Sequence, residues 1–295
     1  MSATTFDQRD GWIWYDGQLV PWNEANLHVL SHGLHYGSSV FEGERAYGGV
    51  IFKSMEHAER LKRSAQLLDF EIPYSAAEID AAKRLVLEKN GQKDAYIRPV
   101  AWRGSEMMGV SAQHNKIHLA IATWEWPSYF DPVQKMKGIR LDIAEYRRPD
   151  PATAPFASKA AGLYMICTIS KHKAERKGYA DALMLDWQGR VAECTGANIF
   201  FIKDGVIHTP IADCFLDGIT RRTVIELAKR RGFEVQERRI WPNELESFNE
   251  CFITGSAAEV TPVAEIGPYT FQPGNMSKTL MEDYMDEVQP KAKAA

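Results

Sequence analysis

The apolar residues of this chain change their spacing several times, and the order of those changes constrains the fold more than any single motif. From Trp12 to Trp22 apolar and polar residues alternate around Asp16-Gly17, the pattern of a tight hairpin. Gly48-Gly49 separates two further β-rich runs between Gly37 and Phe52. Helical spacing then takes over: Ala58, Leu61, Ala65 and Leu68 share one face of a segment with Ser54 as its candidate cap. Ser75-Ala76-Ala77-Glu78 reads as a capping box opening a second helix that ends at Asn90-Gly91. Ala95 to Ala101 and Lys116 to Trp124 return to strand spacing. Strands and helices thus come in groups instead of regular βαβ alternation, which predicts an α+β fold.

Around Trp126-Pro127-Ser128-Tyr129-Phe130-Asp131-Pro132 both periodicities stop. We therefore read residues 1–126 as a small N-terminal α+β domain, 127–135 as an interdomain loop and 136–295 as a larger C-terminal domain. In the second part Ile139 to Tyr146 is strand-like, and Gly162 to Lys177 is a helix stopped by Gly178. Ala182 to Asp186, Ala197 to Lys203 and Val206 to Thr209 read as a meander of short strands, Gly218 to Arg231 as an amphipathic helix, and Glu250 to Thr254 as a strand.

A chain of 295 residues, 45% hydrophobic and 25% charged, buries a substantial core. Its net charge of -4 is spread without a basic block, which argues against nucleic acid and anionic membranes as partners and favours a small molecule. There is no apolar run of about 18 residues, and Met1-Ser2-Ala3-Thr4-Thr5 lacks the form of a signal peptide, so a cytoplasmic protein is expected. Cys167, Cys194, Cys214 and Cys251 form no Cys-x-x-Cys pair and read as reduced core thiols. His28, His32 and His35 fall at helical spacing, but Gly33 and Gly37 interrupt the helix and no carboxylate or cysteine completes a ligand set, so no metal site is expected. Dinucleotide fingerprints, Walker loops and nucleophile elbows are absent from the sequence.

What remains is a lysine among small residues, in Ser158-Lys159-Ala160-Ala161-Gly162-Leu163-Tyr164. An amine there suits one that must lose its proton and attack a carbonyl, a Schiff-base lysine. Tyr164 offers a donor to a cofactor ring hydroxyl, and Glu193, in Glu193-Cys194-Thr195-Gly196-Ala197-Asn198, an anion for a ring nitrogen. Two segments could hold a phosphate: Asp217-Gly218-Ile219-Thr220, which opens a helix, and Gly255-Ser256-Ala257-Ala258, a turn of small residues. Arg60 could add a full charge, although a surface arginine is its plainer reading. Arg98 lies beside Pro99 in an apolar strand and needs an anion partner, from protein or substrate. Tyr36, Phe41, Tyr96, Trp126 and Tyr129 are equally readable as core aromatics.

Five segments in order, His35 to Gly43, Tyr96-Ile97-Arg98-Pro99, Ser158 to Tyr164, Glu193 to Phe200 and Gly255 to Pro262, resemble the branched-chain amino acid aminotransferases. These are two-domain, fold-type IV pyridoxal-phosphate enzymes of D-amino acid aminotransferase-like fold. The resemblance spans nearly the whole chain. It implies pyridoxal 5'-phosphate as cofactor, with Lys159, on the C-terminal domain, as Schiff base and proton shuttle, Glu193 on the ring nitrogen and Tyr164 on the ring oxygen. Phosphate would be held by Arg60, Gly218, Ile219, Thr220 and Ser256, and Leu216 would pack on the ring. Tyr96, Ala257 and Ala258 would receive the substrate carboxylate, and Arg98 the distal carboxylate of glutamate. Phe41, Gly43, Trp126 and Tyr129 would line the side-chain pocket, with Tyr36 and Val110 entering from a neighbouring subunit of a homodimer or larger homo-oligomer.

The implied activity is transamination of L-leucine, L-isoleucine and L-valine with 2-oxoglutarate. Alternatives are a D-amino acid or (R)-amine transaminase of the same fold, an aminodeoxychorismate lyase, or a non-catalytic binding protein. Glu44, standing where an apolar residue is common, Cys194-Thr195 and Trp124-Glu125-Trp126-Pro127 depart from the family pattern.

Overall fold

The computed structural model describes residues 5–126 and 132–290. They fall into two compact units, the first made of the described residues of 5–126, 158–162 and 290, the second of 132–157 and 163–289. The division differs from the sequence expectation at one telling point. Ser158–Gly162, and with it Lys159, packs with the N-terminal unit instead of the C-terminal part of the chain.

The first unit contains β1 (Trp12–Tyr15), β2 (Gln18–Pro21), α1 (His32–Tyr36), β3 (Ser39–Phe41), β4 (Glu44–Tyr47), β5 (Val50–Ile51), α2 (Ser54–Gln66), α3 (Ala76–Lys89), β6 (Ala95–Arg103) and β7 (Ile117–Glu125). Its seven-stranded sheet runs β2-β1-β7-β6-β4-β5, with β3 also on β6. Asp16 and Gly17 turn the first hairpin with φ of 47° and 96°, as their sequence predicts. Lys53, with φ 49°, occupies the N-cap position of α2, so Ser54 is its first residue and not its cap; Leu68 lies beyond the helix end. The capping box at Ser75 and Glu78 is present.

Strand alternation in β6 decides what the unit presents. Ala95, Ile97 and Ala101 join the core built with Ala58, Leu61 and Ala65 of α2 and Ile79 and Val86 of α3. Tyr96, Arg98, Val100 and Trp102 alternate with them onto the opposite face of the sheet. Pro99 cannot donate to a ladder. It sits where β6 changes partner, β3 pairing with residues 100–102 and β4 with 95–97.

The second unit holds α4 (Pro132–Lys135), β8 (Ile139–Ile143), α5 (Met165–Arg176), β9 (Asp181–Leu185), β10 (Val191–Cys194), β11 (Asn198–Lys203), β12 (Val206–Pro210), α6 (Ile219–Arg230), β13 (Glu234–Arg238), β14 (Glu250–Gly255), β15 (Glu259–Ile266), β16 (Tyr269–Thr270) and α7 (Asn275–Val288). The sheet order is β10-β9-β8-β15-β14-β11-β12-β13, with β16 on β15. The expected meander is therefore two hairpins, β9-β10 and β11-β12, kept apart in the ladder by β8, β15 and β14. Residues Leu141, Ile199, Phe201, Ile253 and Val263 form the centre of its core. All four cysteines are buried and free, and burial pushes the thiols of Cys167 and Cys214 up to about 11 and about 12. Among the described residues no helix is long and apolar enough to cross a membrane.

Candidate active site

On the first unit, Lys159 is carried by an irregular segment stitched to the sheet and to α2. The Phe41 amide donates to the Lys159 carbonyl at 3.2 Å, and Val40 and Ala160 form an antiparallel bridge. Ser64 of α2 accepts from the Lys159 amide at 3.0 Å through Oγ, while the Ser158 hydroxyl donates to the Ser64 carbonyl at 2.8 Å. Lys159 Nζ stands 5.0 Å from the centre of the Phe41 ring, and the Arg98 guanidinium carbon lies 4.8 Å from the same centre. One aromatic ring thus has an amine and a guanidinium within cation–π reach.

Arg98 Nη2 donates to the Tyr96 hydroxyl at 3.3 Å, and the Tyr96 ring stacks on Trp124 with centroids 4.9 Å apart and meets Trp126 at 5.4 Å. Gly43 makes that arrangement possible, because a Cβ there would lie 2.0 Å from the Tyr96 hydroxyl oxygen. Arg45 Nη2 donates to the Trp126 carbonyl at 3.1 Å, fixing the end of the aromatic row. Tyr129 lies outside the described residues.

Arg60 is not a surface residue. It is 6% exposed, and its Nε and Nη2 donate to the two oxygens of Glu42 at 2.6 and 2.8 Å. His57 Nδ1 meets Glu42 Oε2 at 2.7 Å. Burial pushes the Glu42 carboxyl up, but the charges and hydrogen bonds of Arg60 and His57 outweigh it and hold the group well below the usual carboxylate range. Burial likewise pushes the His57 imidazole down to about 4, so His57 is neutral and donates. Glu44, the departure noted in the sequence, is buried against Lys83, whose Nζ donates to it at 2.8 Å; burial outweighs Lys83 and raises that carboxyl to about 8.

A neutral buried His57 has a readable consequence. Its folded pKa lies below the ordinary 6.5, so its contribution to stability is complete above pH 6.5 and is lost as pH falls toward 4. Between pH 7.5 and 5.0 the wild type is expected to lose about 2 kcal/mol more than a His57→Gln variant. Thermal melts of both proteins at the two pH values check this; equal losses would remove His57 as the titrating group.

The histidines of the 28–35 stretch are structural. Ring nitrogens of His32 meet Ser38 Oγ at 2.6 Å and the Gly109 carbonyl at 3.0 Å, and His35 Nε2 meets the Val29 carbonyl at 2.9 Å. Tyr36 stacks on His32 and donates to the Met108 carbonyl at 3.1 Å. This draws Tyr36 and the loop of Val110 together on the surface, where they are 48% and 83% exposed.

On the second unit Glu193, Asn198 with its partner Gly218, and the turn after Gly255 lie at the ends of β10, β11 and β14. The β9-β10 ladder shifts register between Val191 and Glu193, the irregularity of a bulge. Arg148, 4% exposed, approaches Glu193 Oε1 through Nε at 3.4 Å and donates to Cys167 Sγ at 3.5 Å through Nη1. Tyr164 occupies the N-cap position of α5 without a side-chain cap hydrogen bond. Asn198 pins the loop before α6: its Nδ2 donates to the Leu216 carbonyl at 3.0 Å, and its Oδ1 accepts from the Gly218 amide at 3.2 Å. A Cβ on Gly218 would fall 2.3 Å from that Oδ1, so a side chain would close the cradle at the helix start. Ile219 and Thr220 then begin α6 with the unpaired amides that favour an anion. Ser256, Ala257 and Ala258 form the turn between Gly255 and Glu259, the last pair of β14 and β15. Gly255 packs beside Gly196, where a Cβ would meet the Gly196 carbonyl at 3.3 Å.

The sequence alone does not single out Glu42, His57, Ser64, Arg148 or Asn198. Four of them carry a signal: His57 and Ser64 recur with Arg60 at helical spacing, and Glu42 and Asn198 stand inside quoted motifs, whereas Arg148 stands among charged loop residues with none.

Residues 39–266 match the profile of the amino-transferase class IV family. A probable branched-chain-amino-acid aminotransferase of Rickettsia felis is 45% identical over 277 residues, 92% of this chain and 94% of that one. The chain belongs to the branched-chain-amino-acid aminotransferases. The enzyme of that name from Pseudomonas aeruginosa is 42% identical over 293 residues, covering 97% and 95% of the two chains. In structure, the T.th. branched-chain amino acid aminotransferase complexed with N-(5'-phosphopyridoxyl)-L-glutamate superposes with a TM-score of 0.90 at 40% identity, over 95% of this chain and 94% of that one. This protein is therefore a fold-type IV aminotransferase, and the cofactor of its class is pyridoxal 5'-phosphate. Its residues fit that group: an anion cradle that only glycine leaves open at 218, and a buried carboxylate at 193 held by an arginine.

Proposed function

We propose that this aminotransferase moves the amino group of L-leucine, L-isoleucine or L-valine to 2-oxoglutarate, giving a branched 2-oxo acid and L-glutamate. The observation that carries the reading is the shared Phe41 ring, with the Lys159 amine on it and Arg98 beside it. A pocket that takes an apolar side chain in one half-reaction and an acidic one in the other needs an aromatic wall with a cation at its edge.

Bound pyridoxal 5'-phosphate supplies the carbonyl carbon for amine exchange and the electron sink for the α-carbon. Lys159 Nζ takes the proton from the substrate α-carbon and later returns one, acting as general base and then acid. Glu193 holds an anion toward the ring nitrogen, and Tyr164 donates to the ring oxygen. Arg60, Gly218, Ile219, Thr220 and Ser256 hold the phosphate, with Leu216 against the ring. Tyr96 and the Ala257 and Ala258 amides take the α-carboxylate, Arg98 the distal carboxylate of glutamate, and Phe41, Gly43 and Trp126 face the side chain; Tyr129 is assigned to the same pocket from the sequence alone.

We read residues 1–126 and 136–295 as two domains joined by 127–135, with the Ser158–Gly162 segment contributed to the first. The protein acts as a homodimer or a multiple of it, its sites completed by Tyr36 and Val110 of a second copy. The exposed Val29, Leu34, Tyr36 and Val110 support this, since an exposed apolar group marks an interface. Its buried, unpaired cysteines suit the reducing cytoplasm.

Steady-state kinetics of Arg98→Gln test the reading. The KM for 2-oxoglutarate is expected to rise about 100-fold, as when one partner of a charge-assisted pair is removed, while the KM for L-leucine stays within about 3-fold. Equal effects on both substrates would take Arg98 out of the distal-carboxylate role.

A further inference from the structure

Glu42 has no part in the chemistry above, yet it is wholly buried between residues that do. A carboxylate only accepts, at about four lone-pair positions. Four donors converge on this one: Arg60 Nε at 2.6 Å on Oε1, then Arg60 Nη2 at 2.8 Å, His57 Nδ1 at 2.7 Å and the Gly43 amide at 3.3 Å on Oε2. The two Arg60 contacts lie on one edge of a planar guanidinium, a fork-to-fork grip. Gripping that edge fixes the plane and direction of every other N–H of the group. A buried ion pair is seldom needed for stability, since apolar residues of similar volume serve as well.

We propose that Glu42 is a positioning residue for the cofactor phosphate: it holds the Nε–Nη2 edge of Arg60 and so aims the rest of the guanidinium at the phosphate. Through the Gly43 amide the same carboxylate ties that aim to the turn on which Tyr96 rests. His57, neutral, is the third support. The proposal rests on the assignment of Arg60 to the phosphate.

Orientation and charge make opposite predictions. If Glu42 only cancelled the charge of Arg60, removing it would strengthen anion binding; if it aims Arg60, removing it weakens binding. The test uses cofactor-free wild type, Glu42→Gln, Arg60→Met and the double variant. Affinities for pyridoxal 5'-phosphate and for pyridoxal are measured by fluorescence titration, and the melting-temperature rise in inorganic phosphate is recorded. Glu42→Gln is expected to lower the ratio of the two affinities roughly 10- to 100-fold. Pyridoxal affinity should change little, the rise in phosphate should shrink, and the double variant should be no worse than Arg60→Met. Glu42→Asp, which keeps the charge and shortens the reach, should show the same loss and serves if the glutamine variant fails to fold. An unchanged or increased ratio in Glu42→Gln or Glu42→Asp overturns the proposal. An unchanged ratio in Arg60→Met overturns it differently, by removing Arg60 from the phosphate.

Discussion

Replacement of Lys159 by alanine is expected to lower turnover by about 10⁴-fold or more, because in the proposed function one group supplies both the exchanging amine and the α-proton transfer. The fold should survive. The segment is anchored by backbone groups, the Lys159 amide on Ser64 and its carbonyl on the Phe41 amide, and alanine keeps both. Melting temperature and circular dichroism should match the wild type, and added small primary amines should restore part of the activity. Turnover within about tenfold of wild type would remove Lys159 from the reaction.

Gly43→Ala should be the next most damaging change, for a different reason. The new Cβ would sit 2.0 Å from the Tyr96 hydroxyl oxygen, and Tyr96 cannot swing away easily, stacked as it is on Trp124 and bonded to Arg98. Overpacking of this kind costs roughly 1–3 kcal/mol of stability. Displacing a substrate-positioning group by about 1 Å costs about 10²-fold in kcat/KM. The double variant Gly43→Ala/Tyr96→Phe, which removes the clashing oxygen but leaves the ring carbon Cζ 2.9 Å from the new Cβ, should recover only part of the stability and none of the hydroxyl's contribution to binding. A Gly43→Ala enzyme with unchanged kcat/KM would mean that Tyr96 does not touch substrate.

Much of the first unit is legible in the sequence because its signals are local. Asp16-Gly17 dictates a hairpin, the Ser75–Glu78 box a helix start, and the order of periodicities the α+β class. The departures have equally local causes. A left-handed Lys53 takes the cap position that Ser54 suggests. Helix α7 is absent from the sequence expectation although Leu280, Met281, Tyr284, Met285 and Val288 keep a helical stripe, since its N-cap residue is Gly274 and the side chain that accepts from its first amides is the distant Glu250. Sequence position alone places Lys159 with the C-terminal domain; what binds its segment is the Ser64 hydroxyl and the Phe41 amide, a pairing no periodicity reports. The support of the candidate residues is least legible. Glu42 pairs with Arg60 from 18 positions away, and Arg148 approaches Glu193 from a loop, so neither partner is marked by spacing. Such pairs become visible only when the fold has brought their elements together.

In the proposed function this chain exchanges amino groups between branched L-amino acids and 2-oxoglutarate through Lys159. The most direct measurement is the visible absorbance of the holoenzyme after stepwise addition of L-leucine and then 2-oxoglutarate, with D-alanine and (R)-1-phenylethylamine in parallel and products quantified. Loss of the band with L-leucine, release of one equivalent of branched 2-oxo acid, and return of the band with one equivalent of L-glutamate are expected. Bleaching by D-alanine or the amine alone, or pyruvate released without an oxo-acid acceptor, would contradict the proposed function.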